Sequence, residues 1–186
     1  MFTALGFPTA DRQCVTGVIA QVKGGESKMK VAVMGELDAL GVPDCPFADS
    51  QTGAAHMCGH HCMIAALAGV AYALHDRRIA DALGGDVALM AVPAEEFIEM
   101  EYRSQLRRCG TIRMFGGKQE FICRGLMDDV DMMVMQHTMA TEGRQETPFK
   151  ASVGGTSNGF VSKEVIYMGK AAHAGGAPEK GINALN

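Results

Sequence analysis

The chain has 186 residues, of which 47% are apolar and 20% are charged, and this balance is typical of a folded domain with an ample core. Its net charge of −4 argues against a nucleic-acid partner, because phosphate contacts need clustered Lys and Arg. Neither a membrane-length apolar run nor a secretory signal is visible, so we expect no membrane partner and a cytoplasmic protein. In that compartment the six cysteines are expected to be free or metal-bound.

The first third of the chain predicts a β-hairpin followed by an exposed loop. Two runs rich in β-branched residues, 15–22 and 29–34, flank the turn-prone stretch 23–27. This pattern favours two antiparallel strands joined by a tight turn. Residues 41–55 are rich in Pro, Asp and Gly and are expected at the surface.

The middle of the chain predicts the layers of an α/β domain. Residues 61–77 contain few helix breakers and predict a buried helix, and a second helix is expected around 101–109. The short apolar runs 86–92 and 130–135 predict strands buried on both faces, as in a parallel sheet. Strand and helix therefore alternate in the order of an α/β fold.

The composition of the sequence changes after Lys150, where glycine becomes frequent. The Gly-rich stretch 154–159 is typical of a hinge, residues 160–168 predict a strand, and residues 179–186 predict the first turns of a helix. We therefore expect a first, metal-binding domain over residues 1–154. An incomplete second domain is expected over residues 155–186.

The sequence AHMCGHHC, at residues 55–62, is the sharpest chemical signal. Cys58 and His60 carry the thiolate and imidazole that zinc-like ions prefer, and Gly59 allows a sharp bend between them. Their place before a helix also predicts a lowered thiol pKa. The alternative is a buried polarizable cluster that caps the helix.

Glu95 and Glu96 follow the predicted strand 86–92 through Pro93 and Ala94. Ligands of α/β sheets gather outside the carboxyl ends of the strands. Adjacent carboxylates at such a strand end can have different roles: one binds a metal and the other accepts a proton from water. The alternative is a solvated acidic strand end.

Asp38 and His137 follow two further predicted strands. A single His after a strand is usually a hydrogen-bonded surface residue, but three strand ends lead to Asp38, Glu96 and His137 at one edge of the sheet. Asp38 either holds a ligand imidazole in its tautomer or caps the next loop with an Asx turn.

His173 lies in the sequence GKAAHAGG, where small neighbours leave its side chain sterically open. It could stabilise a developing oxyanion on the substrate, and the alternative is an exposed loop residue.

In this order the motifs resemble those of the M20 metallopeptidases, and within that family the amidohydrolase branch of aminoacylase-like, hippurate hydrolase-like and aminobenzoyl-glutamate-hydrolase-like enzymes. The motifs are HxCGH at 56–60, PAEE at 93–96, the strand-end His137 and GKxxH at 169–173. The resemblance runs from about residue 15 to the end of the chain. It implies a zinc-peptidase-like α/β sheet flanked by helices and the start of an α+β lid domain that mediates homodimerisation.

The resemblance also implies two divalent metal ions (Zn, Mn or Co) and a small amide or peptide substrate. The implied metal ligands are Cys58, His60, Glu96 and His137. Glu95 is the implied general base, which accepts a proton from water and returns it to the leaving amine. The partner subunit's His173 is implied to contact the substrate and stabilise the oxyanion. N-acyl amino acids, aminobenzoyl-glutamate and small peptides are all implied substrates.

The chain departs from the family pattern at three places. Glu36-Leu37-Asp38 stands where related enzymes carry H-x-D, so Glu36 is left out of the ligand set. His61 and Cys62 follow His60, where an acidic or amide residue is usual. Members of the family also continue well beyond this length, complete the lid and supply another His ligand, so the chain resembles an N-terminal part.

Two other functions fit parts of the pattern. A cysteine-nucleophile amidase would use Cys58 with His60, although a nucleophile and base one residue apart rarely align. A closed zinc site of Cys58, Cys62, His60 and His137 would make the chain a non-catalytic structural module or an inactive fragment, because a closed site has no position for water. The closed zinc site gives the adjacent glutamates no purpose.

Overall fold

The computed structural model describes residues 1–26, 29–138, 151, 153–154, 159, 161, 163 and 165–185. The chain divides into two compact units, Met1–Ala140 and Thr141–Asn186. The predicted domain boundary between residues 154 and 155 stays a prediction. The predicted hinge 154–159 lies outside the described residues apart from its two end glycines.

A five-stranded sheet with flanking helices forms the first unit, which confirms the α/β class. Its strands are β1 (Thr9–Gln13), β2 (Gly17–Val22), β3 (Met29–Glu36), β6 (Gly85–Val92) and β7 (Met132–Met135), in the spatial order β1-β2-β6-β3-β7. Two short strands, β4 (Leu40–Gly41) and β5 (Ala54–Ala55), pair with each other at the ends of the predicted surface loop. Strand β3 runs parallel to β6 and β7, whereas β2 runs antiparallel to β1 and β6.

The predicted hairpin is wrong, because β6 lies between β2 and β3. Both predicted strands form, but each pairs with β6 along its length instead of with the other. Alternate residues of β6 enter two different core clusters, Leu89 among them on one face and Met90 on the other. A strand that is apolar on both faces belongs at the centre of a sheet, since an edge position would leave it exposed.

The predicted helix 61–77 forms as α1 (His60–His75) and is followed by the short helix α2 (Arg77–Ala82). Asp76 ends α1, and its carboxylate accepts a hydrogen bond from the N–H of Arg78 to cap α2. The buried face of α1, which includes Leu67 and Leu74, packs on the core cluster of β2 and β6. The apolar sequence of α1 is therefore explained by burial against the sheet.

Strand β7 forms where a strand was predicted, but it is not buried on both faces. Its four residues are exposed, with side chains between 40% and 55% accessible. Among the described residues β7 pairs only with β3 and lies at the edge of the sheet. An apolar run therefore predicted the strand correctly and its burial wrongly.

Two helices follow β6, where sequence reasoning expected one. Helix α3 (Met100–Arg108) confirms the predicted helix, and α4 (Gly117–Cys123) is additional. Phe121 of α4 is fully buried against the second face of the sheet. A Cβ on Gly117 would lie 1.7 Å from the carbonyl oxygen of Pro93, so only glycine allows α4 to approach the end of β6 this closely.

The second unit has little regular structure in its described residues. Residues 165–168, from the predicted strand 160–168, form no strand. The predicted C-terminal helix is also wrong for residues 179–185, which contain only the end of a 3-10 turn at Pro178–Lys180. Ile182 instead exchanges two backbone hydrogen bonds with Lys170.

In the part of the chain that the structure describes, no helix is long and apolar enough to cross a bilayer.

Candidate metal centre

The carboxyl ends of three parallel strands and the N-terminus of α1 meet at one edge of the sheet. Glu36 ends β3, Glu95 and Glu96 follow β6, and His137 follows β7. Because these strands are parallel, their ends lie side by side. His60 opens α1 at the same edge. The predicted meeting of distant motifs is therefore present.

His60 is held from one side by Asp38. The His60 Nδ1 atom lies 2.9 Å from the carbonyl oxygen of Asp38 and 3.3 Å from its Oδ1. Asp38 Oδ2 accepts the backbone N–H of Glu96 at 2.8 Å. Since a carbonyl oxygen only accepts, Nδ1 carries the proton in the neutral ring and Nε2 presents a lone pair. Asp38 thus links the orientation of the imidazole to the position of Glu96.

The Nε2 atom of His60 faces carboxylate oxygens in a buried environment. It lies 2.9 Å from Glu36 Oε2 and 3.9 Å from Glu95 Oε2, and the side chains of His60 and Glu36 are each 1% exposed. Although the first distance is short, neither Nε2 nor Glu36 Oε2 has a hydrogen-bond partner among the described residues. Buried polar atoms are nearly always paired, so two facing acceptors fit a shared cation.

Cys58 and His137 complete a second group of potential ligands around His60. The Cys58 Sγ atom lies 3.6 Å from His137 Nε2, and the rings of His60 and His137 are 5.8 Å apart at 88°. One ligand atom each from Cys58, His60 and His137 lies within 4.8 Å of the others, and the same holds for Glu36, His60 and Glu95. His60 belongs to both groups, and because its Nε2 has a single lone pair it can bind only one ion, so a second neighbouring ion would take its ligands from the other residues of the two groups.

The predicted lowering of the Cys58 pKa is wrong in this structure. Burial, a hydrogen bond to the Glu96 carboxylate and the charges of Glu96, Glu95 and Glu36 together raise the pKa of the Cys58 thiol to about 11. The same contact places Glu96 beside Cys58, on the side of the domain where the metal-ligand prediction requires it.

Glu95 has the surroundings expected of a proton acceptor. Burial raises the pKa of its carboxyl above the usual value, and Glu36 raises it further, while Lys118 opposes the shift. A general base is most effective when its pKa lies near the working pH, so a raised pKa suits this role. The neighbouring Glu96 shows a different contact, with Cys58, so the two adjacent glutamates have different environments.

Sequence reasoning missed two residues of this centre, Glu36 and Lys118. Glu36 was set aside because the family motif has a His there, yet its carboxylate is buried against His60. The Lys118 ammonium contacts the Glu36 carboxylate and lies 3.7 Å from Glu95 Oε1. No motif around Lys118 indicated this contact, which arises from the close approach of α4 to the end of β6.

The described contacts disfavour both alternative sites. Cys62 Sγ pairs with His61 Nε2 at 3.4 Å, and Cys62 belongs to neither group of potential ligands. A closed site with Cys62 is therefore not assembled in the described part of the chain. His60 presents its ring nitrogens to the carbonyl oxygen of Asp38 and to Glu36, and Cys58 Sγ lies beside His137 Nε2, so Cys58 and His60 form no nucleophile–base hydrogen bond in the described contacts.

His173 belongs to the second unit. Its Nδ1 accepts the backbone N–H of Gly176 at 2.8 Å, and the residue is exposed. The contact of His173 with substrate stays a prediction.

The geometry of the first unit by itself defines an α/β protein with a candidate metal centre at the carboxyl edge of its sheet.

Comparison with known proteins gives the family. The model of peptidase family M20/M25/M40 matches residues 32–173, and the chain belongs to this family. The chain is 30% identical over 181 residues to the N-acetylcysteine deacetylase of Bacillus subtilis (strain 168), covering 93% of this chain and 40% of that protein. It is 30% identical over 182 residues to the indole-3-acetyl-aspartic acid hydrolase of Enterobacter agglomerans, covering 91% of this chain and 36% of that protein.

A solved structure is similar in both sequence and fold. The YXEP protein of Bacillus subtilis, described as a dinuclear metal-binding peptidase of the M20 family, matches with a TM-score of 0.53 and 27% identity. The match covers 71% of this chain and 33% of that one. The chain therefore spans well under half the length of the relatives it matches.

Proposed function

We propose that this protein is the metal-binding part of an amidohydrolase that cleaves amide bonds of N-acyl amino acids, aminobenzoyl-glutamate or small peptides. The observation that carries the proposal is the buried pair of facing acceptors, His60 Nε2 and Glu36 Oε2, which lack any hydrogen-bond partner among the described residues. The names of two relatives, an N-acetylcysteine deacetylase and an indole-3-acetyl-aspartic acid hydrolase, support an N-acyl amino acid as substrate.

The donor set fits two divalent ions of the zinc, manganese or cobalt type. Cys58, His60, Glu96 and His137 are the proposed ligands, and Glu36 joins them because its carboxylate faces the same imidazole. Mixed thiolate, imidazole and carboxylate donors accept these metals. When bound, such ions polarise the scissile carbonyl and lower the pKa of water. The dinuclear description of the similar YXEP structure supports two ions.

The remaining residues act on protons and on geometry. Glu95 accepts the proton of the attacking water and donates it to the leaving amine, for which its raised pKa is suited. Asp38 fixes the ring of His60 and, through its hydrogen bond to the N–H of Glu96, the strand end that carries both glutamates. The partner subunit's His173 stabilises the oxyanion in a homodimer formed through the lid domain. We place the protein in the cytoplasm.

A substrate panel tests the proposal directly. The purified chain, with zinc, manganese or cobalt added in turn, is assayed for release of free amine from N-acyl amino acids, aminobenzoyl-glutamate and dipeptides. We expect amine release that requires metal and is lost on chelation. Tight binding of one ion without any hydrolysis, also with the chain completed to the length of its relatives, would favour the structural zinc module instead.

A further inference from the structure

A cavity of about 520 Å³ lies beside the candidate metal centre and is separate from it. Its walls include the apolar residues Ile98, Leu106 and Ile112, between α3 and the segment that precedes α4. None of the proposed metal ligands lines it, and Asp38 alone is shared with the centre. A volume in this range is typical of small-molecule sites.

Among the described residues that line this cavity, Arg103 is the one cation, and it is buried. Arg103 is only 7% exposed and lies on α3. Among the described residues its guanidinium makes one hydrogen bond, from Nη1 to the carbonyl oxygen of Phe115 at 3.3 Å, and no ion pair. A guanidinium has five N–H donors, so most of its bonding capacity is unused.

Buried cations normally have a counter-charge, and no carboxylate in the described part of the chain is within contact of Arg103. The carboxylates that influence Arg103 most are Asp38 and Glu99, yet burial lowers the pKa of Arg103 more than these two raise it. Asp38 accepts the N–H of Glu96 through Oδ2 and keeps Oδ1 without a hydrogen-bond partner among the described residues, and neither Asp38 nor Glu99 forms an ion pair with Arg103 in that part of the chain. The other acid in the cavity wall, Glu120, is bound to Arg124 and to two backbone N–H groups. An anion in the cavity would give Arg103 the direct contact that the carboxylates among the described residues do not make.

We propose that this cavity binds an organic acid with an apolar body, whose carboxylate pairs with Arg103 and whose body packs on Ile98, Leu106 and Ile112. Arg recognises carboxylates through two parallel hydrogen bonds, which gives strength and direction. The carboxylates of Asp38, Glu99 and Glu120 also line the cavity, so we expect the acid to be held at Arg103 alone and to gain the rest of its binding from its apolar body. The acid is either a free molecule or the acid end of a ligand that also reaches the metal centre through Asp38.

Titration of the metal-free chain with phenylacetate and with the neutral phenylacetamide tests the proposal, with binding followed by NMR. We expect the acid to bind roughly tenfold or more tightly than the amide, as a charge-assisted hydrogen bond predicts. Arg103→Met should remove this preference, while Arg108→Met, the same charge change at an exposed position of the same helix, should keep it.

Equal binding of acid and amide to the unmodified chain would overturn the proposal, as would an Arg103→Met variant with an unchanged preference for the acid. Leu106→Phe, which fills the cavity, provides an independent variant and should weaken both ligands. A second titration with N-phenylacetylglycine, with and without zinc, separates the two sources, because a gain with zinc larger than the gain shown by phenylacetate indicates a ligand that spans both sites. Since the first titration contains no metal, its outcome does not depend on whether the chain hydrolyses amides.

Discussion

His60 Nε2 and Glu36 Oε2 lie 2.9 Å apart in the interior of the protein without a hydrogen bond between them. The other ring nitrogen of His60 is bound to the carbonyl oxygen of Asp38, which directs the Nε2 lone pair towards the carboxylate. Two acceptors at this distance repel each other unless a cation lies against both. This relationship makes Glu36, which the family motif did not predict, a central residue of the proposed site.

Glu36→Gln should therefore weaken metal binding. The change keeps the size of the side chain and removes the charge that faces His60. We expect the dissociation constant for zinc to rise by about 10- to 100-fold, in line with the loss of supporting groups around other metals. Competition with a chromophoric chelator measures this constant. Glu26→Gln, on an exposed loop, is the matched control, and equal zinc affinity in both variants would remove Glu36 from the site.

Lys118→Met should have the opposite effect on metal affinity. The Lys118 ammonium contacts Glu36 and lies 3.7 Å from Glu95 Oε1, so it competes with a divalent ion for the same carboxylates. Removing this charge should tighten zinc binding by roughly tenfold, the effect of about one charge-assisted contact. The metal-free variant should also melt at a lower temperature, because Glu36 loses its cation.

The control for this variant is Lys23→Met, which removes an ammonium paired with Asp86 at the opposite end of β6. Isothermal titration of both variants with zinc checks the prediction. Weaker zinc binding in Lys118→Met would indicate that Lys118 organises the carboxylates for the metal instead of competing with it.

Glu95→Gln should abolish turnover and leave the metal content unchanged. The amide cannot accept a proton from water, whereas the proposed ligands are untouched. We expect a loss of roughly 100- to 10,000-fold in kcat, the usual contribution of a general base. Amine release and metal analysis are measured on the same sample, with the exposed Glu101→Gln as control. Retained turnover would refute the role of Glu95, and a parallel loss of metal would make it a ligand.

The sequence was sufficient for the parts of this structure that depend on local patterns. The sequence predicted the apolar strand β6, the helix α1 and the metal-competent or acidic side chains at three strand ends. Burial and strand direction determine which residue types occur at these positions, so they can be inferred from the sequence. The meeting of Cys58, His60, Glu96 and His137 followed from that topology.

The missed features depend on contacts between distant segments. Strands β2 and β3 look like a hairpin until β6 is known to lie between them. Lys118 reaches Glu36 only because Gly117 allows α4 to approach Pro93 closely. The end of the chain looks helical, but Ile182 forms backbone hydrogen bonds with Lys170 instead.

Glu120 should stabilise the fold in a pH-dependent manner. Although burial alone would raise the pKa of Glu120, the Met114 N–H, Arg124 and the Arg113 N–H together lower it below the ordinary value of 4.5. A lowered folded-state pKa means that the stabilisation is present above pH 4.5 and is lost as the pH falls through the folded-state pKa. We expect Glu120→Gln to lower the free energy of unfolding by about 1–3 kcal/mol at neutral pH.

Urea denaturation of Glu120→Gln and the unmodified chain at several pH values checks this dependence. The difference between the two proteins should shrink as the solution becomes acidic. A difference that stays constant with pH would mean that the loss comes from packing and not from the charge.

Gly59→Ala should destabilise the start of α1. Gly59 has φ of +87°, and an added Cβ would lie 1.9 Å from Thr138 Oγ1. The left-handed backbone alone costs about 1–2 kcal/mol for alanine, and the contact with Thr138 adds to this. Gly69→Ala is the control, since it lies within α1 with open space around it and should raise stability by roughly 0.5–1 kcal/mol. Thermal unfolding of both variants gives the comparison, and equal melting temperatures would contradict the account of Gly59.

Anomalous diffraction at the zinc edge, from crystals grown with zinc, tests the metal centre most directly. We expect two neighbouring peaks, one beside Cys58 and His137 and the other beside Glu36, with His60 Nε2 next to one of them. A single peak bound by Cys62 together with Cys58, or zinc bound only away from His60, would contradict this expectation.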